Sequence, residues 1–243
     1  MTEKFALITG GAKRIGATTS KYLHDKGFNI ILHYNNSETE AENIKKELNQ
    51  KRKNSCLTIK SNFNSEKSTK EIVSRVNEIT ETLDVLINNA STFYPTAINT
   101  ASFDEWKDLT DTNVTTPLFL TQALVIHLKK AHGCVINISD SLVKNGIEGY
   151  SLYSGAKAAL ESITKSLAKE LAPEVRVNGI APGAILWPDG KDLEIEEKDS
   201  ILKKVAMERI GKPEDIASTI FFLTQSKYIT GQIINVDGGR FSF

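Results

Sequence analysis

The 243-residue sequence predicts an α/β fold, a parallel sheet covered by helices on both faces. Three observations carry this. Short apolar runs alternate with amphipathic helical stretches along nearly the whole chain, the pattern of strands buried on both faces. A glycine-rich turn joins the first apolar run to the first helical stretch. No Pro/Gly/Ser-rich linker and no internal repeat interrupts the alternation, so a single domain over 1–243 is expected.

The elements follow in order. Phe5-Ala-Leu-Ile-Thr9 is an apolar run of strand length, and a helical stretch leads from the turn to about Lys26. Phe28 to Tyr34 reads as the second strand, and a charged helix follows from Ser37. Cys56 to Ile59 is the third, followed by a helix with apolar Ile72, Val76 and Ile79. Leu83 to Ile87 is the fourth, and one long helix is expected over roughly Ser102 to Lys130. Val135 to Ser139 and Val175 to Ile180 are the fifth and sixth strands, with a helix from about Leu152 to Leu171 between them. Gln232 to Val236 is the last strand. The segment from Trp187 to Met207 is acidic and lysine-rich and breaks the alternation. It reads as an insertion before the final helix, either covering a ligand or forming a solvated charged helix.

Composition excludes several classes. The 30 basic and 30 acidic residues balance, so no electrostatic case exists for nucleic acid or an anionic membrane. The longest apolar runs have strand length and cannot span a bilayer. The N-terminus passes straight into a strand without signal-peptide architecture. Cys56 and Cys134 are isolated and sit at expected strand starts, which points to buried thiols and a cytoplasmic setting. His24, His33, His127 and His132 lack zinc-ligand spacing, so no metal is expected.

Chemistry concentrates in two places. The first strand runs into Thr9-Gly10-Gly11-Ala12-Lys13-Arg14-Ile15-Gly16. A glycine turn between a first strand and a helix lets the backbone approach a pyrophosphate at the helix N-terminus. Arg14 stands where glycine is common, and a cation at a helix N-terminus opposes the dipole by about 0.3–1 kcal/mol unless an anion binds there. The second strand ends at His33-Tyr34-Asn35-Asn36-Ser37, with no acidic residue before Glu38. An acidic residue would grip the adenosine 2′-hydroxyl and repel a 2′-phosphate. Asn36 and Ser37 can donate hydrogen bonds, and Lys13 adds positive charge, so NADP(H) is expected over NAD(H).

The second place is a triplet. Tyr153 and Lys157 lie one helical turn apart on a shared face, with Asp140 at the end of the fifth strand, thirteen residues before the tyrosine. A lysine ammonium beside the phenol is expected to lower its pKa and make it a proton donor near neutral pH. Tyr22 and Lys26 share the same spacing inside the first helix, where such a pair is ordinarily a surface contact.

These motifs, in this order on these elements, resemble the short-chain dehydrogenase/reductase family over essentially the whole chain. The Thr9–Gly16 turn, Asn88-Asn-Ala90, Asn113, Tyr153/Lys157, Pro182-Gly183 and Asp237-Gly-Gly239 carry the resemblance. It implies a Rossmann-type, doubly wound sheet of seven parallel strands and commonly a homotetramer. Within the family the sequence looks most like the pteridine reductases. Arg14 replaces a glycine, Asn89-Ala90-Ser91 continues as Thr92-Phe93-Tyr94-Pro95, and Asp140 replaces the usual catalytic serine. The Ala181-Pro-Gly-Ala-Ile-Leu-Trp-Pro188 stretch resembles bacterial members. Two departures stand out: Asn36 where an arginine is frequent, and Asn62 where an aspartate commonly contacts adenine.

The resemblance implies a cofactor site of Gly10, Lys13, Arg14, Ile15, His33, Tyr34, Asn35, Asn36, Ser37, Asn62, Phe63, Asn89, Ala90, Ser91, Tyr153, Lys157, Pro182, Gly183 and Ile185. It implies a pterin site of Arg14, Ser91, Phe93, Asp140, Tyr153 and Trp187. A pterin is flat and polar, and Phe93 can stack on one of its faces. The implied reaction is hydride transfer from NADPH to C6 of a 7,8-dihydropterin, with Tyr153 protonating N5. Lys157 tunes the tyrosine and binds ribose, Asn113 holds a water of the proton path, and Asp140 orients the ring or serves reduction of an oxidised pterin. The alternatives are a carbonyl or 3-oxoacyl-thioester reductase, against which Asp140 and Phe93 speak, and an NADP(H)-binding protein without turnover, against which the Tyr153/Lys157 pair speaks.

Overall fold

The computed structural model describes residues 3–63, 65–187 and 194–240. Its strands are β1 (Lys4–Ile8), β2 (Phe28–Tyr34), β3 (Cys56–Lys60), β4 (Val85–Asn88), β5 (Cys134–Ile138), β6 (Arg176–Pro182) and β7 (Ile233–Val236). They form one parallel sheet in the order β3-β2-β1-β4-β5-β6-β7. The order reverses between β1 and β4, where loops from neighbouring strands diverge and leave a crevice at their carboxyl ends.

Strand alternation builds two apolar layers. Ala6, Ile8, Ile30, Leu32, Val85 and Ile87 face one way and pack with Leu23, Ile216 and Ile220. These last three belong to α1 (Arg14–Asp25) and α9 (Pro213–Gln225). On the same side lies α2 (Glu38–Lys51), through Ala41, Ile44 and Leu48. Leu7, Ile31, Leu86, Val135 and Val177 face the other way, against Ile72 and Val76 of α3 (Glu66–Ile79). Each such side chain contributes about 1.5–3 kcal/mol on burial. Exposed ion pairs such as Lys70–Glu66 (2.6 Å) contribute about 0–1 kcal/mol. The layers, not the surface charges, therefore hold the sheet.

The long helix expected over 102–130 is broken. It comprises α4 (Phe103–Thr110), a π-helical segment (Asp111–Thr115), α5 (Thr116–Ala123) and α6 (Val125–Ala131). Ser102 starts α4 with a capping box to Glu105. Pro117 has no N–H to give to the carbonyl four residues back, that of Asn113, so the ladder loosens there into an i→i+5 register. The sixth strand also runs further than expected, taking in Pro182, and Gly183 N–H then bonds Val236 O at 3.0 Å. Strands 1, 3, 4, 5 and 7 begin or end one or two residues from their expected limits.

Cys56 and Cys134 are free, buried thiols, and each is the first residue of its strand. Burial pushes them up to about 12 and about 11. No helix among the described residues is long and apolar enough to cross a membrane. The Tyr22/Lys26 pair is a contact within the first helix and its cap: the ammonium lies 5.3 Å from the Tyr22 ring and 5.4 Å from Phe221.

A buried polar ladder fixes α7 (Ser151–Glu170) across the sheet. Asn88 Nδ2 donates to Asn137 Oδ1, and Asn137 Nδ2 donates to Thr164 Oγ1, both at 2.8 Å. Asn137→Ala orphans the Asn88 amide and removes a partner from Thr164. A loss of about 1–3 kcal/mol per orphaned group is expected. It should appear as a lower urea midpoint with an unchanged m-value.

Candidate active site

The glycine turn is stitched to the loop after β4. Asn89 N–H and Ala90 N–H both donate to Thr9 Oγ1 at 3.0 Å. Asn89 Nδ2 donates to Thr9 O (2.9 Å) and Gly10 O (3.1 Å). The fit leaves no room for side chains. A Cβ on Gly16 would lie 2.1 Å from Gly10 O, and Gly10 has φ +61° with Ala90 Cα 3.0 Å from a Cβ position. This compact turn, opening onto the N-terminus of α1, matches the needs of a dinucleotide pyrophosphate.

The His33 ring is buried, and both of its nitrogens are engaged within the protein. Nδ1 accepts from Gly10 N–H at 3.2 Å, which leaves Nε2 protonated to donate to Ser61 O at 3.0 Å. Its carbonyl takes Gly11 N–H at 2.9 Å. Phe63 stacks on it, with centroids 4.4 Å apart and planes at 10°, so Phe63 braces the histidine. Tyr34 is likewise core. Burial depresses His33 to about 4.

Beyond β2, Asn35 and Asn36 are exposed and Ser37 is half-buried at the start of α2, its hydroxyl not used as a cap. The positive charge expected from Lys13 is offset by Glu40 at 2.9 Å. Asn62 Oδ1 accepts from Ser68 Oγ at 2.8 Å, an engagement the sequence did not signal. Ile15, in α1, and Ile185 belong to the same apolar layer, and Pro182 ends β6 with Gly183 directly after it.

The structure brings Tyr153, Asp140, Ser91 and Asn113 together. Tyr153 Oη donates to Asp140 Oδ2 at 3.0 Å, and Leu142 N–H donates to Asp140 Oδ1 at 2.8 Å. Ser91 Oγ donates to Asn113 Oδ1 at 2.7 Å and also lies by the Tyr153 hydroxyl. Lys157 is buried, but its ammonium donates to Ile138 O at 2.8 Å and sits 5.9 Å from the Tyr153 ring centre. The expected lowering of the phenol pKa is therefore overturned. Burial, then the Asp140 carboxylate, drives Tyr153 well above its ordinary value, and Ser91 opposes this. Burial lowers Lys157 to about 8, with Asp140 acting against it.

The Asn113 amide donates to Thr92 O and Leu109 O, both at 2.9 Å, so both of its protons hold protein groups in place. Glu161, absent from the expected set, accepts from Ser139 Oγ at 2.8 Å and steadies the residue before Asp140.

Phe93 is 54% exposed, which excludes a core role. It stacks on Tyr150 (4.6 Å, 11°) and meets Tyr153 edge-on (4.7 Å, 77°). Tyr150 is a site residue the motif search misses; its i,i+3 relation to Tyr153 is the signal that finds it. Arg14 has φ +51°, a conformation that costs a non-glycine residue about 1–2 kcal/mol. Its guanidinium donates to Trp187 O at 3.4 Å, joining the turn to the start of the insertion. Residues 188–193 of that insertion, with Pro188, lie outside the described residues. Its helix α8 (Ile195–Leu202) buries no side chain.

His33 makes a pH prediction. Its folded value lies below the ordinary 6.5, so the folded state resists protonation. Stability present above pH 6.5 should fall as pH drops toward 4, by on the order of 3 kcal/mol. Urea denaturation across this range should show that loss in the native protein and not in His33→Gln. Parallel curves would remove His33 from the account.

The relatives are consistent with this geometry. The family model described as enoyl-(acyl carrier protein) reductase matches residues 10–240. Pteridine reductase 1 of Leishmania tarentolae is 30% identical, covering 98% of this chain and 96% of that protein. The 3-oxoacyl-[acyl-carrier-protein] reductase FabG of Staphylococcus aureus strain N315 is 34% identical over 98% of both chains. The 3-oxoacyl-[acyl-carrier-protein] reductase of a Synechocystis strain is 32% identical, covering 100% and 99%. The chain belongs to the short-chain dehydrogenase/reductase family of oxidoreductases.

Proposed function

We propose that this protein reduces a dihydropterin to a tetrahydropterin with NADPH. One observation carries the reading: the hydroxyl of Tyr153 is held by a carboxylate, Asp140, beside an exposed aromatic ring, Phe93. A carboxylate suits the N–H groups of a heteroaromatic ring better than a ketone oxygen, which needs a donor. The pteridine reductase relative supports the same substrate class.

Gly10, Ile15, Asn89, Ala90, Lys157 and the Pro182–Ile185 stretch would hold the cofactor, with Asn36 and Ser37 at its 2′-phosphate. When bound, NADPH supplies the hydride that C6 of the pterin receives. Tyr153 gives its proton to N5, exchanging Asp140 for the ring nitrogen as acceptor. Its high pKa keeps the phenol protonated until that acceptor arrives. Lys157 is the nearby source of positive charge and the ribose contact. The water of the proton path sits on the Asn113 carbonyl, which Pro117 cannot satisfy, rather than on its amide. Phe93 offers its free surface to the pterin, and Trp187 closes the edge. The setting is cytoplasmic and the assembly a homotetramer, as is common in the family.

A second reading is a 3-oxoacyl-thioester reductase. The 3-oxoacyl-[acyl-carrier-protein] reductase relatives favour it, with identities of 32–34%.

NADPH oxidation measured side by side on dihydrobiopterin, dihydromonapterin, dihydrofolate and an acetoacetyl thioester separates the two. Turnover of a dihydropterin well above the thioester is expected, with NADPH preferred to NADH. Thioester turnover alone would reject the pterin reading. Asp140→Ser should impair pterin reduction more than carbonyl reduction, and an equal loss on both would count against the carboxylate's role. Tyr153→Phe should lower kcat by about 10²–10⁴-fold while NADPH binding, followed by fluorescence, is nearly unchanged.

A further inference from the structure

We propose that Glu161 is a positioning residue of the active site. Acting through Ser139, it fixes the end of β5 so that the Asp140 carboxylate meets the Tyr153 hydroxyl. This rests on the Tyr153–Asp140 pair being the reactive centre, as proposed above.

Four side chains of α7 grip four successive residues at the end of β5. Thr164 Oγ1 accepts from Asn137 Nδ2, Lys157 Nζ donates to Ile138 O, and Glu161 Oε1 accepts from Ser139 Oγ, each at 2.8 Å. Tyr153 Oη donates to Asp140 Oδ2 at 3.0 Å. Positions 153, 157, 161 and 164 form one stripe along α7, because residues three and four apart share a helix face. Asn137 and Ser139 are two residues apart in extended chain, so both side chains turn to the face that α7 covers. Ile138 between them turns into the opposite apolar layer and offers α7 its carbonyl.

The four ties do different work. Asn137 and Ile138 are already held by the ladder, Asn137 between Asn88 and Gly179 and Ile138 beside Ile180. Ser139 lies past the last paired residue, and its N–H bond to Ile180 O at 2.7 Å is where the sheet's hold ends. Among the described residues, the Asp140 backbone bonds only within its own turn, accepting from Val143 N–H at 3.3 Å. The Ser139–Glu161 bond is thus the side-chain tie that aims the chain immediately before Asp140. Both partners are buried, Ser139 at 5% and Glu161 at 8% exposed. A buried acid is costly, and a neutral acceptor would tie a strand end more cheaply. What the carboxylate adds is a charge-assisted bond, shorter and roughly twice as strong as a neutral one. A stiff tie matters here, since misplacing reacting groups by about 1 Å can cost about 10²-fold in rate.

The test is single-turnover and steady-state NADPH oxidation, on whichever pterin or carbonyl the protein reduces best. Glu161→Leu removes the acceptor, and Glu161→Gln keeps one. Ser139→Ala breaks the same bond from the strand side and carries the test if Glu161→Leu does not fold. Glu161→Leu and Ser139→Ala should each lower kcat about tenfold, with KM and NADPH affinity changed far less. Glu161→Gln should retain most of the rate. In an Asp140→Ala background, Glu161→Leu or Ser139→Ala should cost little more, because the residue they act through is gone. Unchanged kcat in both single variants would overturn the proposal. So would a Glu161→Gln variant as slow as Glu161→Leu, or the same tenfold loss persisting without Asp140. A protein that reduces carbonyls but no pterin would lose the pterin reading alone, because the Glu161 effect is then read on the carbonyl.

Discussion

Four hydrogen bonds tie the Thr9–Gly10 segment to the Asn89–Ala90 segment just past the carboxyl ends of β1 and β4. The rest of the site depends on this stitch. It lies just beyond the β1–β4 ladder, past the Thr9 N–H to Ile87 O bond, and the side chains of Thr9 and Asn89 extend the pairing. It pulls the glycine turn against Ala90 and leads directly into Ser91 and Phe93. Through Ser91 it reaches Asn113 and Tyr153. Cofactor cradle and reactive cluster are thus one connected body. His33 supports it from behind, offering a lone pair only while its ring is neutral.

The electrostatics of the cluster run opposite to a simple lysine–tyrosine pair. Burial favours the uncharged form of both Tyr153 and Lys157. Asp140 then works in opposite senses on the two, holding the phenol protonated and the lysine charged. In the proposed reaction, a carboxylate at this position makes the tyrosine a donor that releases its proton only to a competing acceptor. A serine would leave it far less constrained.

The fold was largely legible in the sequence because strands buried on both faces must be apolar throughout, and such runs stand out. The π segment was not. Pro117 marks it, but a periodicity scan averages over a single shifted turn. The meeting of Asp140, Ser91 and Tyr153 was legible from the order of the motifs. The path of the Lys157 ammonium was not, because i,i+4 spacing fixes a shared face and not which acceptor a flexible stem reaches. The Ile138 carbonyl lay closer to hand. The partners of the His33 ring were not legible for a related reason: proximity to a strand end says where a residue sits, and alternation decides which way its ring points.

The two cysteines lie at the amino ends of β3 and β5, the edge of the sheet opposite the site. One is in an edge strand and the other in an interior strand. Reaction of either with a thiol reagent requires the thiolate and therefore an opening that admits water. The molecule thus carries two built-in clocks of local unfolding, set in strands of different depth and remote from the chemistry. Their labelling rates would compare the opening of the sheet margin with that of its centre.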